Sequence, residues 1–323
     1  MSAAPDTIAS AASADRLDLG GREAVITAEG VRKVYGELVA VRDATFAVAR
    51  GEVFGLLGPN GAGKTTTVEC LQGLREADGG TIRVLGLDPV ARSRELRPRI
   101  GCQLQESALP DHIRVWEALE LFASLTPGGH DWRRVMRDWG LAEKSRASFH
   151  SLSGGQRQRL FVALAVVNAP ELVFLDEMTT GLDPAARRVA WGLIHDIREM
   201  GTTVVLVTHF MEEAERLCDR IAVMDAGRVV ALDTTQGLIA RFAGGVRVVF
   251  NTDAADVSFL ERVTDVDSVR REGQRVVVEG RGAVLVHVAA ALVAHGLTPP
   301  DVRLEQPTLE DVFLHLTGHE MPE

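Results

Sequence analysis

The segment GPNGAGKT, residues 58–65, has the composition and spacing of a loop that binds phosphate. It follows the apolar run VFGLL, so a strand, a glycine-rich loop and a helix are expected in succession, as in nucleotide sites. Glycine lets backbone N–H groups converge on phosphate oxygens, and the helix start adds its positive end. Lys64 is expected to reach the β- and γ-phosphates, and Thr65 to hold Mg²⁺. The predicted site comprises Gly58, Pro59, Asn60, Gly61, Ala62, Gly63, Lys64, Thr65 and Thr66.

A second glycine pair lies at a predicted helix start, in SLSGGQRQRL, residues 151–160. Ser153 and Gln156 have the spacing of a capping box, which satisfies the free N–H groups of a first helical turn. Capping does not explain Gly154 and Gly155, because glycine in a first turn costs stability unless a group must approach the backbone closely. The residues therefore suggest a second anion-binding turn.

Acidic and imidazole side chains follow two further apolar runs. Asp176 and Glu177 come after LVFL, and His209 comes after TVVLVT. Parallel strands end at the same edge of a sheet, so we expect these side chains to lie at one edge. Asp176 is placed to hold Mg²⁺, directly or through water, as in other P-loop enzymes. The alternatives are a solvated acidic pair and a structural histidine.

Taken in order, these motifs closely resemble those of the ATP-binding subunits of ABC transporters, over residues from about 25 to 243. The resemblance implies ATP and Mg²⁺ as cofactors. It also implies that LSGGQ of one subunit grips the γ-phosphate of ATP held by the phosphate loop of another. Ser153, Gly154, Gly155 and Gln156 would then serve a partner's nucleotide. The implied assembly is a pair of ATP-binding subunits, with a homodimer as the simplest form and a heterodimer as the alternative.

The resemblance also assigns catalytic roles. Glu177 would position and polarise the attacking water, and His209 would contact the γ-phosphate. Gln105, in IGCQLQES, would sense the metal and the lytic water, with Gln103 in the same segment as an alternative. Gln105 would thereby link the site to a helical insertion.

Three further positions complete the comparison with that family. Tyr35, in KVYG, resembles the aromatic residue that stacks on adenine, the alternative being a half-buried tyrosine on a strand. Asp183, in TGLD, matches a loop that runs across the subunit interface in the family. Met178 stands where proline is commoner, but every charged motif residue remains, so we expect ATPase activity to be retained.

Short apolar runs alternate with helical patterns, which is typical of an α/β protein with a mostly parallel sheet covered by helices. With the resemblance, this predicts a P-loop ABC cassette over residues 24–243, including a helical insertion at about 106–165. The small polar residues 1–23 predict a disordered tail. After the glycine pair at 244 and 245, strand-like and helical runs predict a small α+β domain over residues 244–323.

Composition excludes several other classes of protein. The chain has 35 basic and 45 acidic residues, a balance of −10, which is the wrong sign for holding a nucleic acid backbone. Its apolar runs are far shorter than the roughly 20 residues that span a bilayer, so a membrane role requires a partner. Cys70, Cys102 and Cys218 lack metal-ligand spacing and are predicted to be free, buried thiols.

Two segments resemble a particular branch of the family. Both PTLEDVFLHLTG, residues 307–318, and IGCQLQESAL are similar to ABC-2-type exporter ATPases, especially the daunorubicin-resistance-like branch. The resemblance implies a chain at the cytoplasmic side of the membrane that energises a separate permease, for export of a drug, antibiotic or lipid-like compound. Two alternatives stay open: a soluble ABC ATPase with a non-transport role, and a non-catalytic nucleotide-binding regulator.

Overall fold

The computed structural model describes residues 16–103, 108–126, 128–242 and 245–318. The chain forms two compact units, which divide between Thr235 and Gln236. This division falls N-terminal to the glycine pair at which the sequence places the domain boundary. Gln105 lies outside the described residues.

The first unit is built on a mixed sheet of nine strands among its described residues, in the order β4-β1-β2-β9-β8-β3-β7-β6-β5. The central strands pair in parallel, β5 with β6, β6 with β7, β7 with β3 and β3 with β8. At the other end, β1 pairs antiparallel with β2 and β4. The strands are β1 (Ala24–Tyr35), β2 (Leu38–Ala49), β3 (Val53–Leu57), β4 (Gly79–Val84), β5 (Ile100–Gln103), β6 (Leu172–Asp176), β7 (Thr203–Thr208), β8 (Arg220–Asp225) and β9 (Arg228–Asp233).

The parallel strands β3, β6 and β7 form the centre of the core. Every residue of these three strands is buried. Parallel strands are covered on both faces, which explains why their sequences read as continuous apolar runs rather than as alternating patterns. The predicted α/β class with a mostly parallel core sheet is confirmed.

Helices connect these strands and cover the sheet. They are α1 (Lys64–Leu71), α2 (Ser93–Leu96), α3 (Val115–Ser124), α4 (Trp132–Asp138), α5 (Gly154–Val166), α6 (Pro184–Glu199) and α7 (Met211–Leu217). The described residues between β5 and β6 form α3, α4, α5 and short 3-10 turns, in the segment where the sequence predicts a helical insertion. Helix α6 begins at Pro184, whose fixed φ suits a first turn, and ends before Gly201 in a left-handed conformation.

Residues 16–23 pack against the sheet, although the sequence predicts a disordered tail over residues 1–23. Leu19 is buried against Ala47 and Ala49 at the end of β2. Arg22 forms an ion pair with Glu52, at 3.1 Å. The apolar and charged side chains at the end of the predicted tail therefore belong to the first unit, and residues 1–15 lie outside the described residues.

The second unit has a four-stranded antiparallel sheet among its described residues, in the order β11-β12-β10-β13. Its core packs Val248 and Phe250 against Val288 and Leu292 of a covering helix. The final helix opens with a capping box, in which Thr308 N donates to an Asp311 oxygen at 2.9 Å. The elements are α8 (Thr235–Phe242), β10 (Val246–Asn251), β11 (Val266–Glu272), β12 (Arg275–Gly280), α9 (Val284–Ala294), β13 (Arg303–Glu305) and α10 (Leu309–Thr317).

The cysteines are free thiols, as predicted. Cys70 and Cys218 are buried, and burial raises the pKa of the Cys70 thiol to about 11. Cys102 is exposed, contrary to the prediction, because β5 is an edge strand of the sheet.

Candidate active site

The loop of residues 58–65 joins β3 to α1, as the sequence predicts. Two of its three glycines have close backbone contacts. A Cβ atom at Gly58 would lie 2.3 Å from the carbonyl oxygen of Met224, and one at Gly63 would lie 2.5 Å from that of Ala40. Gly63 also has a φ of 94°, in the left-handed region that favours glycine. These positions therefore require glycine, and the loop can curl tightly ahead of α1.

Lys64 lies at the start of α1 with its ammonium group buried against the loop. Its Nζ donates hydrogen bonds to the carbonyl oxygens of Gly58, at 2.8 Å, and Pro59, at 3.0 Å. The same Nζ lies 3.6 Å from Oε1 of Glu177. Burial lowers the pKa of Lys64, while the charges of Glu177 and Asp176 oppose that shift. The ammonium group is therefore a cation held within the curl of the loop.

A cleft of about 470 Å³ lies in front of this loop. Tyr35, at the end of β1, is 37% exposed on its wall. Two cations flank the Tyr35 ring, with Lys33 Nζ 5.5 Å and Arg75 Cζ 5.3 Å from its centroid. A partly exposed aromatic side chain on the wall of a cleft is of the type that stacks on nucleobases. The other lining residues are Leu38, Val39, Ala40, Arg42, Asn60, Gly61, Gly63, Lys64, Thr65, Thr66, Glu177, Ala226 and Gly227.

Asp176 ends β6 as a buried carboxylate next to the loop. Burial, together with the charge of Glu177, raises the pKa of Asp176 to about 6, although a hydrogen bond from Thr65 and the charge of Lys64 lower it. Its Oδ1 atom is buried without a hydrogen-bond partner among the described residues. A carboxylate oxygen left without a partner beside a threonine hydroxyl suits a hard cation such as Mg²⁺, which binds through few protein oxygens together with substrate phosphates.

Glu177 and His209 meet because of the register between β6 and β7. Asp176 pairs with Val207 in that register, and Glu177 N donates to the Val207 carbonyl at 2.9 Å. His209 follows β7 directly, and its Nδ1 lies 3.2 Å from Glu177 Oε1. Glu177 has a φ of 48°, which is uncommon for a residue other than glycine and is typical of functional sites. The structure thus gathers Lys64, Asp176, Glu177 and His209 at one sheet edge.

The second glycine pair lies in the first turn of α5, where the structure shows the expected capping box. Ser153 Oγ accepts from Gln156 N at 3.4 Å, and Gln156 Oε1 accepts from Ser153 N at 3.1 Å. A Cβ atom added at Gly154 would meet no described atom within 4 Å, and at Gly155 only Ala186 Cβ at 3.8 Å. The fold of one chain therefore does not require glycine here. This turn is not among the residues that line the phosphate-loop cleft.

Asp183 caps α6 in the structure. Its Oδ1 accepts hydrogen bonds from the backbone N–H groups of Ala185 and Ala186, each at 2.9 Å. This residue does not line the phosphate-loop cleft. Within a single chain, its carboxylate therefore stabilises the N-terminus of α6.

Sequence reasoning missed a buried carboxylate behind the site, Glu213 in the first turn of α7. Next to Glu212 it reads as one of two acidic residues at a helix start, which usually face solvent. No local pattern in the sequence marks its burial, because its hydrogen-bond partner Trp191 is 22 residues earlier in the chain.

The fold and the site together define a class of protein. The parallel part of the sheet carries a phosphate loop between strand β3 and helix α1. The acidic pair Asp176 and Glu177 lies at the end of β6, which is two strands from β3 in the sheet. This arrangement is that of a P-loop nucleoside triphosphatase.

Comparisons with known proteins identify the family. A family model described as ABC transporter matches residues 41–180. The chain is 39% identical over 305 residues to daunorubicin resistance ATP-binding protein DrrA3 of Streptomyces coeruleorubidus. The matched region covers 92% of this chain and 96% of that protein. It is 37% identical over 311 residues to Nod factor export ATP-binding protein I of Ralstonia nicotianae, covering 93% and 96%.

Solved structures agree with this result. An ATP-binding subunit of an ABC transporter superposes with a TM-score of 0.61 at 27% identity, covering 67% of this chain and 92% of that one. The protein cbiO1 from Clostridium perfringens, part of an ABC transporter complex, has a TM-score of 0.61 at 25% identity, covering 68% and 92%. The chain belongs to the ATP-binding proteins of ABC transporters, in the branch of ABC-2-type exporter ATPases, and it is an ABC-type ATPase. Within the described ranges, no helix is long and apolar enough to cross a membrane.

Proposed function

We propose that this chain hydrolyses ATP to drive export through a separate membrane permease, which holds it at the cytoplasmic side of the membrane. The observation that carries the catalytic part is the contact of one Glu177 oxygen with both Lys64 and His209 beside the phosphate-loop cleft. The relatives' names, a daunorubicin resistance protein and a Nod factor export protein, support export. We propose a drug, antibiotic or lipid-like compound as the class of cargo.

The residues of the cleft have distinct proposed tasks. Backbone N–H groups of residues 58–66 bind the β- and γ-phosphates. When ATP binds, the Lys64 ammonium group donates hydrogen bonds to phosphate oxygens in place of the loop carbonyl oxygens. Tyr35 stacks on adenine. Glu177 accepts a proton from the attacking water, a task for a carboxylate within hydrogen-bond reach, and His209 contacts the γ-phosphate. Gln105 is the proposed sensor of the metal and the attacking water, as the family resemblance implies.

Mg²⁺ is the proposed metal cofactor, with Thr65 and Asp176 as its protein-side ligands, directly or through water. The orphan Oδ1 of Asp176 supports this assignment. When bound, Mg²⁺ would neutralise charge that develops on the phosphate oxygens. Thr65 and Asp176 would also set the orientation of the triphosphate along the loop.

We propose that two copies of the chain enclose two ATP molecules, each held between one phosphate loop and the partner's turn of residues 153–156. The free space above Gly154 and Gly155 supports this arrangement, because it leaves the first-turn N–H groups of α5 open to an approaching phosphate. Asp183 would lie along the same interface. ATP binding favours the closed pair, and loss of the γ-phosphate by hydrolysis removes the bridge and reopens it.

Two experiments test this function. The first co-expresses the tagged chain with its candidate multi-helix membrane protein and purifies the chain in mild detergent; a stable complex whose ATPase responds to cargo is expected. Recovery of the chain without any such protein would count against the transport role. The second mixes Lys64→Ala chains with Gly154→Ala chains. Turnover, which should be absent from Lys64→Ala and low in Gly154→Ala, should rise in the mixture, because one of the two sites then holds an intact loop and an intact turn. Absence of rescue, with subunit exchange demonstrated, would overturn the shared site.

A further inference from the structure

Glu213 is a fully buried carboxylate that none of the roles above uses. It is 0% exposed, in the first turn of α7. Its Oε1 accepts a hydrogen bond from Trp191 Nε1 at 3.1 Å. Burial raises the pKa of Glu213, whereas the hydroxyl groups of Thr208 and Thr179 and the Trp191 indole lower it. A carboxylate without access to water depends on polar neighbours. Trp191 supplies its hydrogen bond of normal geometry, and the hydroxyl groups of Thr208 and Thr179 lie beside it.

Two of these partners belong to the turns that carry the proposed catalytic side chains. Thr179 lies two residues after Glu177, in a turn closed by a hydrogen bond from Thr180 N to the Glu177 carbonyl at 3.2 Å. Thr208 is the last residue of β7 and directly precedes His209. Glu213 therefore lies beside both the segment that presents Glu177 and the segment that presents His209.

The third partner connects the same carboxylate to helix α6. Trp191 lies on the buried face of α6, two turns from the N-terminus that Asp183 caps. Arg187, one turn before Trp191, also lowers the pKa of Glu213 through its charge and lies with Cζ 4.3 Å from the ring centroid of Phe210. Helix α6 is thus held against the turn after β7 at more than one point.

Packing alone does not account for a carboxylate at this position. Glu213 Oε2 and Thr179 Oγ1 are both buried without a hydrogen bond of normal geometry to the residues that the structure describes. Replacing a buried polar network by apolar groups of similar shape is often neutral or stabilising, and buried polar atoms without partners oppose folding. A carboxylate that is only partly hydrogen-bonded and lies next to the catalytic side chains points to a role in their geometry.

We propose that Glu213 is a positioning residue for ATP hydrolysis, which sets the turn of Glu177 against the turn of His209 and fastens both to α6. Glu213 does not contact the phosphate-loop cleft, so it acts through those two residues. The inference rests on the roles proposed above for Glu177 and His209.

The test measures kcat and KM for ATP hydrolysis, with kcat expressed per nucleotide-binding site counted by titration with ATP. Glu213→Leu should lower kcat on the order of 10-fold while KM stays within about twofold of the unaltered chain, because only alignment in the transition state is lost. Glu213→Gln keeps an acceptor for Trp191 and should recover most of that loss. Glu212→Gln makes the same chemical change at an exposed residue of the same helix and should have no effect.

Unaltered kcat per site in Glu213→Leu would overturn the inference, since a purely structural role changes the number of folded sites and not their turnover. If that variant does not fold, Thr179→Val replaces it, because it removes one hydroxyl from the carboxylate at nearly constant shape. A fall in its kcat at constant KM supports the inference, and constant kcat overturns it. Glu177→Gln is assayed in parallel. Normal ATP hydrolysis by Glu177→Gln would overturn both the proposed base and this inference. If Glu177→Gln hydrolyses ATP slowly but Glu213→Leu has a normal kcat, only this inference is overturned.

Discussion

His209 and Glu177 are in contact across the ends of β6 and β7, with Nδ1 of the imidazole 3.2 Å from Oε1 of the carboxylate. Lys64 Nζ approaches the same oxygen at 3.6 Å. A γ-phosphate that attracts the lysine and the imidazole would therefore compete directly with this carboxylate for its two partners. Such an exchange would leave Oε1 available to water at the moment when the phosphate is in place.

We expect Glu177→Gln to hydrolyse ATP roughly 100-fold more slowly, because an amide cannot accept the proton of the attacking water. ATP affinity should be retained, since the amide keeps the shape of the side chain. With ATP and Mg²⁺ the variant should form a stable dimer, because the bridging phosphate is not removed.

Phosphate release and light scattering after size exclusion measure these two effects. Glu143→Gln makes the same change at an exposed residue of the first unit and should behave as the unaltered chain. A Glu177→Gln protein that remains monomeric with ATP and Mg²⁺ would contradict the closed-pair mechanism, even if its turnover were low.

We expect Lys64→Ala to weaken ATP binding by about 10-fold or more and to abolish turnover, because the loop loses its one buried ammonium group at the phosphates. Calorimetric titration with ATP measures the affinity. Lys144→Ala removes an exposed lysine and is the matched control. If Lys64→Ala and Lys144→Ala bind ATP with equal affinity, the assignment of residues 58–66 as the phosphate-binding loop is wrong.

Asp176→Asn should stabilise the fold in a pH-dependent way. The carboxyl pKa rises from 3.8 to about 6 on folding, so ionisation of Asp176 favours the unfolded chain. The increase in the free energy of unfolding caused by Asp176→Asn should therefore be absent below about pH 4. It should grow as the pH rises to 6 and level off above that pH, reaching about 3 kcal/mol at most. Urea unfolding at several pH values measures the difference. A stability difference that does not change with pH would show that Asp176 is not held at a raised pKa.

The sequence predicts the central strands and the phosphate loop well, because parallel strands and glycine contacts leave local patterns. Val53–Leu57 is apolar throughout since both faces are covered, and Gly58 and Gly63 stand where backbone oxygens exclude a Cβ atom. The sequence also predicts that Asp176 and His209 share a sheet edge, because parallel strands end together.

Other features depend on contacts between distant residues and leave no local pattern. The burial of Glu213 depends on Trp191, 22 residues earlier in the chain. Leu19 packs against the end of β2, and its burial cannot be predicted locally because it lies in a predominantly polar segment of the sequence. Strand β11, VDSVRRE, has four charged residues and only two apolar ones at the edge of its sheet, so it lacks the apolar run that predicts β10 and β12.

We expect Gly154→Ala to keep the fold and ATP binding but to lower hydrolysis by about 10-fold or more, because the added methyl group meets no atom of the described residues and stands where the partner's phosphate would lie. Gly192→Ala is the matched control, since Gly192 is also an exposed helical glycine whose Cβ would meet no described atom within 4 Å. Both substitutions should raise the unfolding temperature slightly, as alanine stabilises a helix by roughly 0.5–1 kcal/mol relative to glycine. Only Gly154→Ala should lose activity, and it should lose the ATP-dependent dimer as well. If the two variants have equal turnover, the glycine at position 154 does not serve a partner's nucleotide, and its presence must be explained within the single chain.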